Sequence, residues 1–178
     1  MIDLRGPDVR LRSLRPSDLK VYTQVYTSAV LTRYLGVDRM DDDRARATFL
    51  AGLRSDRRIT LAVTEPDDDA VHGLIGLLLE DYGSNAMITG LVLLPGSPVQ
   101  GRGAQAGRLL IDYAFTSLGI HRVWAWRRRD HGLMERIMLD AGLRPEATLR
   151  QLFRTQGRWH DVTTYAALSH EWDLVHAP

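Results

Sequence analysis

Apolar and polar residues alternate over Val9–Leu14 (VRLRSL), the period of a half-buried strand. The period then lengthens. Pro16 and Ser17 open a helix on which Leu19, Tyr22, Val25, Tyr26 and Ala29 share one face. A second helix is predicted over 40–53 (MDDDRARATFLAGL): its acidic first turn complements the helix dipole, and Phe49, Leu50 and Leu53 supply the buried stripe. Ile59–Val63 and Val71–Glu80 read as strands joined by a loop rich in aspartate and proline, 64–70. Met87–Leu94, apolar on both faces, reads as a central strand covered on two sides. Gly103–Gly119 is a long helix in which Ala106, Leu109, Leu110, Tyr113, Ala114 and Leu118 keep helical spacing and Gly119 is the stop. A strand follows at Arg122–Trp126, then a short helix that points Leu133, Met134, Ile137, Met138 and Ala141 inward and stops at Gly142. The segment 148–172 alternates as two antiparallel strands turning at Gln156-Gly157.

The order is strand, two helices, three strands, helix, strand, helix, two strands. It is not a βαβ series, which argues against a doubly wound dinucleotide-binding fold. With 178 residues and no linker, repeat or low-complexity tract, residues 1–178 read as one mixed α/β domain. A net charge of +1 gives the chain no general attraction to nucleic acid or anionic membranes. Cysteine is absent, so no disulfide, thiolate nucleophile or Cys-ligated metal is available, and a reducing cytoplasm fits. The first residues carry Asp3, Arg5 and Asp8 where a signal peptide needs an apolar run, and the longest apolar stretch is too short for a membrane span.

The stretch PVQGRGAQAGRLL (Pro98–Leu110) sets two glycines and an arginine before the long helix. A P-loop would end in Gly-Lys-Ser/Thr, and a dinucleotide fingerprint would space its glycines G-x-G-x-x-G. Gly101, Gly103 and Gly107 match neither. What remains is strand, glycine turn and helix N-terminus. Gly101 and Gly103 can adopt unusual φ angles and put no side chain in a ligand's way, the first helical N–H groups lack partners, and Arg102 adds charge. Such a turn cradles a diphosphate; equally, it is a loop that needs glycines to pass from strand to helix.

In these residues the chain resembles the GCN5-related N-acetyltransferase (GNAT) superfamily, and within it the RimJ/RimL-like branch. The family has a Gln/Arg-x-x-Gly-x-Gly/Ala turn after its fourth strand, and Gln100, Gly101, Arg102 and Gly103 fit its first four positions. VRLRSLRPSDL, LTRYLG, LGIHRVWAW, RIMLDAGLRPEATLR and GRWHDVTTYAALSHEW resemble further family segments in the right order. The resemblance implies an α/β (α+β mixed) GNAT fold: a central, mostly antiparallel twisted sheet flanked by helices and splayed between its fourth and fifth strands. It implies acetyl-CoA as co-substrate, with its pyrophosphate on Gln100, Gly101, Arg102, Gly103, Ala104 and Gln105. Pantetheine amides would pair with the backbone of Leu91, Val92 and Leu93, and a backbone N–H of Leu93 or Leu94 would meet the oxyanion. Departures are specific. The last turn position is Gln105, and the glutamate often found two residues before Gly90 is Ile88. The pantetheine-contacting asparagine is His131, the serine after it Met134, and the general-acid tyrosine Met138.

The amine must lose a proton before it attacks, so the site needs a base or a water relay. His131 is the first candidate, as catalytic residue and coenzyme contact, against a solvent-exposed turn histidine. Glu80, with Asp81, could hold a water at the end of the third strand, against a polar strand end; Asp161 reads as a turn or strand contact. Tyr34, Leu35 and Trp126 are the substrate-side candidates. For Tyr34 and Leu35 packing is the alternative, and Trp124 and Trp126 share a strand face on which core burial is the default. His72, His121, His160, His170 and His176 show no metal-ligand spacing, so no metal site is expected. The leading function is acyl-CoA-dependent N-acyltransfer to a primary amine of a peptide N-terminus or small molecule. A second reading keeps coenzyme or acyl-thioester binding with altered chemistry. A third, nucleic-acid binding, is prompted by Arg127–Arg129 and has the least support; three arginines in a turn usually form a solvated patch or a landing site for an anionic group. Monomer and homodimer both stay open, the apolar closing hairpin being a surface a dimer could use.

Overall fold

A computed structural model describes residues 1–81 and 84–176, with side chains through Trp172. The strands are β1 (Asp3–Arg5), β2 (Arg10–Ser13), β3 (Arg58–Thr64), β4 (Gly73–Leu79), β5 (Asn85–Leu93), β6 (Arg122–Arg128), β7 (Arg144–Thr155) and β8 (Arg158–Leu168). The helices are α1 (Leu19–Thr27), α2 (Asp42–Gly52), α3 (Gly103–Thr116), α4 (Gly132–Asp140) and α5 (Ser169–His176). All eight strands form one sheet in the order β1-β2-β3-β4-β5-β6-β8-β7, and every described pairing is antiparallel except β5 with β6. The family's fourth and fifth strands are therefore β5 and β6. Among the described residues no helix is long and apolar enough to cross a membrane.

Two apolar layers sandwich the sheet, which is why its middle strands read as continuous apolar runs. On one face α3 packs Ala106, Leu110, Ile111 and Ala114 onto Leu61, Ile75, Leu77, Val123 and Tyr165. On the other, α1 and α2 bring Tyr22, Val25 and Phe49 onto Leu74 and Val92.

Four expectations need correction. The short strand β1 was not predicted: three residues carry no measurable period, and pairing with β2 (Leu4 opposite Leu11) creates it. The stripe of α2 is Ala45 and Phe49, whereas Leu50 and Leu53 are 43% and 38% exposed, because the helix packs mainly on α1, with Phe49 against Tyr22 (ring centres 5.2 Å apart), and its other side stays open. Leu133 is 68% exposed at the first turn of α4 and does not point inward. The closing strand ends at Leu168, which pairs with Arg122, the first residue of β6. With no strand left to pair, the chain turns into α5, and Trp172 packs edge-on against Phe115 (5.7 Å between ring centres) while its indole N–H donates to Asp112.

A buried ion pair joins β2 to α1. Arg12 and Asp18 are 3% and 6% exposed, and the guanidinium meets the carboxylate through two hydrogen bonds of 2.8 and 3.1 Å. Asp18 also accepts the Arg15 N–H (2.8 Å), and Arg12 donates to the Asp69 carbonyl (2.7 Å), so the pair ties two loops to the strand. Removing one partner leaves a buried charge alone, which costs about 3–5 kcal/mol. Asp18→Ala should therefore lower the urea midpoint by that equivalent at unchanged m-value, and Asp18→Asn, which keeps an acceptor, should lose less.

Candidate active site

The hydrogen-bond pattern of β5 generates the site. Its register with β4 slips between Leu74 and Gly76, so Gly90 and Leu91 stand together opposite Ile75 as a bulge. Gly90 takes φ +62°, a left-handed conformation, and a Cβ there would come 3.1 Å from the Tyr26 hydroxyl. On its other edge β5 pairs with β6 only at Asn85–Arg122, Ala86–Val123 and Met87–Trp124. Beyond Met87 and Trp124 the two strands separate. β5 stays paired with β4, and β6 with β8 along its whole length.

Alternation then sorts the backbone groups. The Leu94 N–H donates to the His72 carbonyl (2.8 Å), so it is already used. Successive residues of an antiparallel strand point their N–H and C=O to opposite sides, so the groups of Leu93 face the gap and those of Val92 face β4. Of the two expected oxyanion donors, only Leu93 has a free direction.

The gap leads into the glycine turn. Val99, 1% exposed, anchors the loop after β5 in the core. Gln100 caps that loop, its Oε1 accepting the Gly96 N–H at 3.0 Å. Gly101 adopts φ +86° with nothing within 4 Å of where a Cβ would stand. Arg102 precedes α3, whose first helical bond runs from the Ala106 N–H to the Arg102 carbonyl (3.0 Å), which leaves the N–H groups of Gly103, Ala104 and Gln105 without a carbonyl one turn back. Gly103 differs from the sequence reading. Its φ is not positive, and a Cβ would stand 3.3 Å from Ile137 and 3.7 Å from Leu91, so it lets α3, α4 and β5 converge. Gln105 turns away, accepting the Asp8 N–H (3.1 Å) and donating to the Asp8 carboxylate (3.2 Å), which also pairs with Arg102 at 3.5 Å.

The turn after β6 carries His131. Arg127 and Arg128 are 7% and 8% exposed, so they do not form the solvated patch read from the sequence. Arg127 donates to the Tyr165 hydroxyl (3.0 Å) and to the carbonyls of Arg128 (3.1 Å) and Arg129 (2.9 Å), and pairs with Glu135 at 2.8 Å. Arg128, on the opposite face of β6, forms a two-bonded pair with Asp130 (3.0 and 2.5 Å) and donates to the Arg33 carbonyl (3.0 Å). His131 is half-buried at the start of α4, its N–H bonded to the Arg128 carbonyl (3.0 Å), and its imidazole stacks on Tyr34 with ring centres 4.0 Å apart. Burial pushes its pKa down, helped by Arg127 and Arg128 and opposed by Asp130, so the neutral ring is favoured.

The other predicted residues fall around this centre. Leu35 packs into the α1–α2 layer, and Trp126 is wedged between Gly36 and Phe153, 4.7 Å from the latter ring. Above it the Asp38 carboxylate accepts the Gln156 N–H (3.2 Å), clasping the loop 28–41 to the β7–β8 hairpin. Trp124 and Trp126 are half-buried on the side away from α3, not in the main core. Glu80 accepts the Trp124 indole N–H at 3.0 Å, beside the last paired rung of β5 and β6. Asp81 pairs with Arg57 (2.9 Å), and Asp161 accepts the Gln151 N–H (3.0 Å). Among the histidines, the side chain of His176 lies outside the described residues. His72 has a spatial grouping that its sequence spacing did not show, since ligand atoms of Glu65, Asp68 and His72 lie within 4.8 Å of one another on the β3–β4 loop.

Tyr26 was missed as a site residue. Its spacing marked it only as part of the apolar face of α1, yet its hydroxyl lies over the bulge glycine. Burial pushes the phenols of Tyr22 and Tyr26 up, so both keep their protons. Only the fold brings α1 to Gly90, so no local signal could have found it.

The comparisons with known proteins agree with this geometry. The family model for the acetyltransferase (GNAT) domain matches residues 8–144. The chain is 23% identical over 163 residues to the uncharacterized N-acetyltransferase YnaD of Bacillus subtilis, covering 90% of this chain and 95% of that protein. It shares its fold with spermidine N-acetyltransferase from Vibrio cholerae, solved in complex with CoA and spermine (TM-score 0.84, 17% identity, 94% and 99% of the two chains). It also resembles Mycobacterium smegmatis RimJ in complex with CoA-disulfide (TM-score 0.79, 20% identity, 96% and 87%). With a glycine turn leading out of an opened sheet and a family match across most of its length, this chain belongs to the GNAT acetyltransferase family.

Proposed function

We propose that the chain transfers an acyl group, acetyl first among the candidates, from acetyl-CoA to a primary amine of a small molecule or peptide N-terminus. The observation that carries this reading is the unpaired half of β5, which runs into a turn where Gly101 leaves open space beside the free N–H groups of α3. These residues fit the coenzyme: oriented donors at a helix start for the pyrophosphate, and a bare strand edge for the amides of its arm. Gly101, Gly103, Ala104 and Gln105 would hold the pyrophosphate through backbone N–H groups; Arg102, whose own N–H is spent on the Val99 carbonyl (3.0 Å), would add its side-chain charge, and Gln100 keeps their loop in shape. Leu91 and Leu93 would pair with the arm. The RimJ/RimL-like branch is supported by the ordered motifs along the chain and by the shared fold with the mycobacterial RimJ.

Bound there, acetyl-CoA supplies an activated thioester. The Leu93 N–H donates toward the oxygen on which negative charge develops. His131, kept neutral by burial, accepts the proton of the attacking amine. Glu80, oriented by the Trp124 indole, holds a water or a second cationic group of the acceptor; Tyr34 and Trp126 form its apolar walls. One protein that shares this fold, spermidine N-acetyltransferase from Vibrio cholerae, was solved in complex with CoA and spermine, which supports an amine acceptor here.

Isothermal titration with acetyl-CoA should give one saturable site per chain, and Gly101→Val, strained at φ +86°, should weaken it at least about tenfold. No binding to the native chain sinks the acyltransferase reading, and binding with no thiol release across an amine panel leaves a coenzyme-binding protein. The active form of His131 is unprotonated, so kcat/KM should rise with pH through its titration and then level off. Because its pKa is lowered, that limb should lie below the ordinary histidine value of about 6.5. His131→Gln should abolish the limb and lower kcat about a hundredfold.

A further inference from the structure

We propose that Tyr34 is a positioning residue: its ring clamps the His131 imidazole, so the proton acceptor is assembled only when the loop 28–41 is seated over the site. The inference rests on the reading of His131 as the base and adds how that base is held and when it is ready.

Two independent sets of contacts meet at His131. Beneath it, Arg127 ties the β6–α4 turn down by donating to the carbonyls of Arg128 and Arg129 while pairing with Glu135 of α4 and bonding to Tyr165 of β8. These bonds fix the backbone from which His131 projects. They do not touch its ring. The ring contact comes from the loop 28–41, where Tyr34 stacks nearly parallel to the imidazole, 16° between planes. Tyr34 is itself held. The guanidinium of Arg128 lies 5.0 Å from its ring centre and that of Arg33 5.3 Å. Arg128 donates to the Arg33 carbonyl as well, so one buried side chain grips both the clamp and the backbone beside it.

The stack also explains why a neutral ring belongs there. An aromatic face attracts a cation, so an imidazolium on Tyr34 alone would be stabilised. Here two guanidinium groups already lie against the same tyrosine, and a third charge would meet their repulsion. The charged and titratable groups around His131 are Asp130, Arg127 and Arg128 from β6 and its turn, Arg33 and Tyr34 from the loop, Glu135 from α4 and His160 from β8, which lies near Asp130. The loop ends of this arrangement also reach the acceptor side: Gly36 packs on Trp126, and Asp38 holds the hairpin at Gln156. The segment that walls the acceptor is thus the one that seats the base. An amine that settles against Trp126 with the loop closed finds His131 fixed, and an open loop leaves the imidazole free to rotate and to take up a proton from water.

The test follows the His131 imidazole resonances through a pH titration of the free protein, together with amine-dependent thiol release. Tyr34→Ala should move the His131 midpoint upward, toward the ordinary histidine value, and lower kcat about tenfold with the KM for acetyl-CoA changed less than twofold. Tyr34→Phe keeps the ring; it should retain the native His131 midpoint and recover most of the lost kcat. Arg128→Gln should shift the midpoint in the same direction as Tyr34→Ala. An unmoved midpoint in Tyr34→Ala overturns the clamp, and so does Tyr34→Phe behaving like Tyr34→Ala, which would assign the role to the hydroxyl. If His131→Gln keeps native kcat, the base assignment fails by itself, while the titration still decides the clamp.

Discussion

Parallel pairing between β5 and β6 lasts three rungs and stops at Met87 and Trp124, and the chemistry open to this chain depends on that stop. Strands rarely leave a backbone edge unpaired inside a sheet, because buried N–H and C=O groups without partners are costly. Two features make the gap tolerable here. β5 is fully engaged with β4 and β6 with β8, so each strand loses bonds on one edge only. The bulge at Gly90 also adds local twist and turns the second half of β5 away from β6. The exposed edge then has a direction, a free donor at Leu93 and a helix N-terminus at its end.

Burial of arginine is the second organising fact. Arg12, Arg127 and Arg128 are all under a tenth exposed, and each spends its donors on loop carbonyls as well as on a carboxylate. A buried ion pair adds little net stability, since desolvation offsets much of the attraction. What the fork of donors adds is geometry. Arg12 fixes the start of α1, Arg127 the turn below His131, and Arg128 the tyrosine above it. Burial is the main cost of protonating His131, and Arg127 and Arg128, which shape its turn, add to it.

The strand and helix pattern was largely legible in the residues. The long apolar stripe of α3, the doubly apolar run of β5 and the glycine at 101 each state a local requirement, and the fold meets it. So does the turn at Gln156-Gly157, where both residues take positive φ. Misreadings cluster where the outcome depends on a distant neighbour. Leu50, Leu53 and Leu133 lie on faces that no other element covers. Gly103 is a glycine because Ile137 approaches it, and Tyr26 matters because α1 crosses the bulge.

By itself the amino-acid order determined which segments are strands and helices, which residues alternate together and where a glycine turn precedes a helix. Those are consequences of backbone sterics and of periods two to five residues long. Only the tertiary structure decided where β5 and β6 part, which of Leu93 and Leu94 keeps a free donor, and that Arg127 and Arg128 serve the interior. It alone brought Tyr34 onto His131 across about a hundred residues of chain. Periodicity says that two side chains share a face; which element covers that face, and which bonds its edge still lacks, is set by the register of strands far apart in sequence.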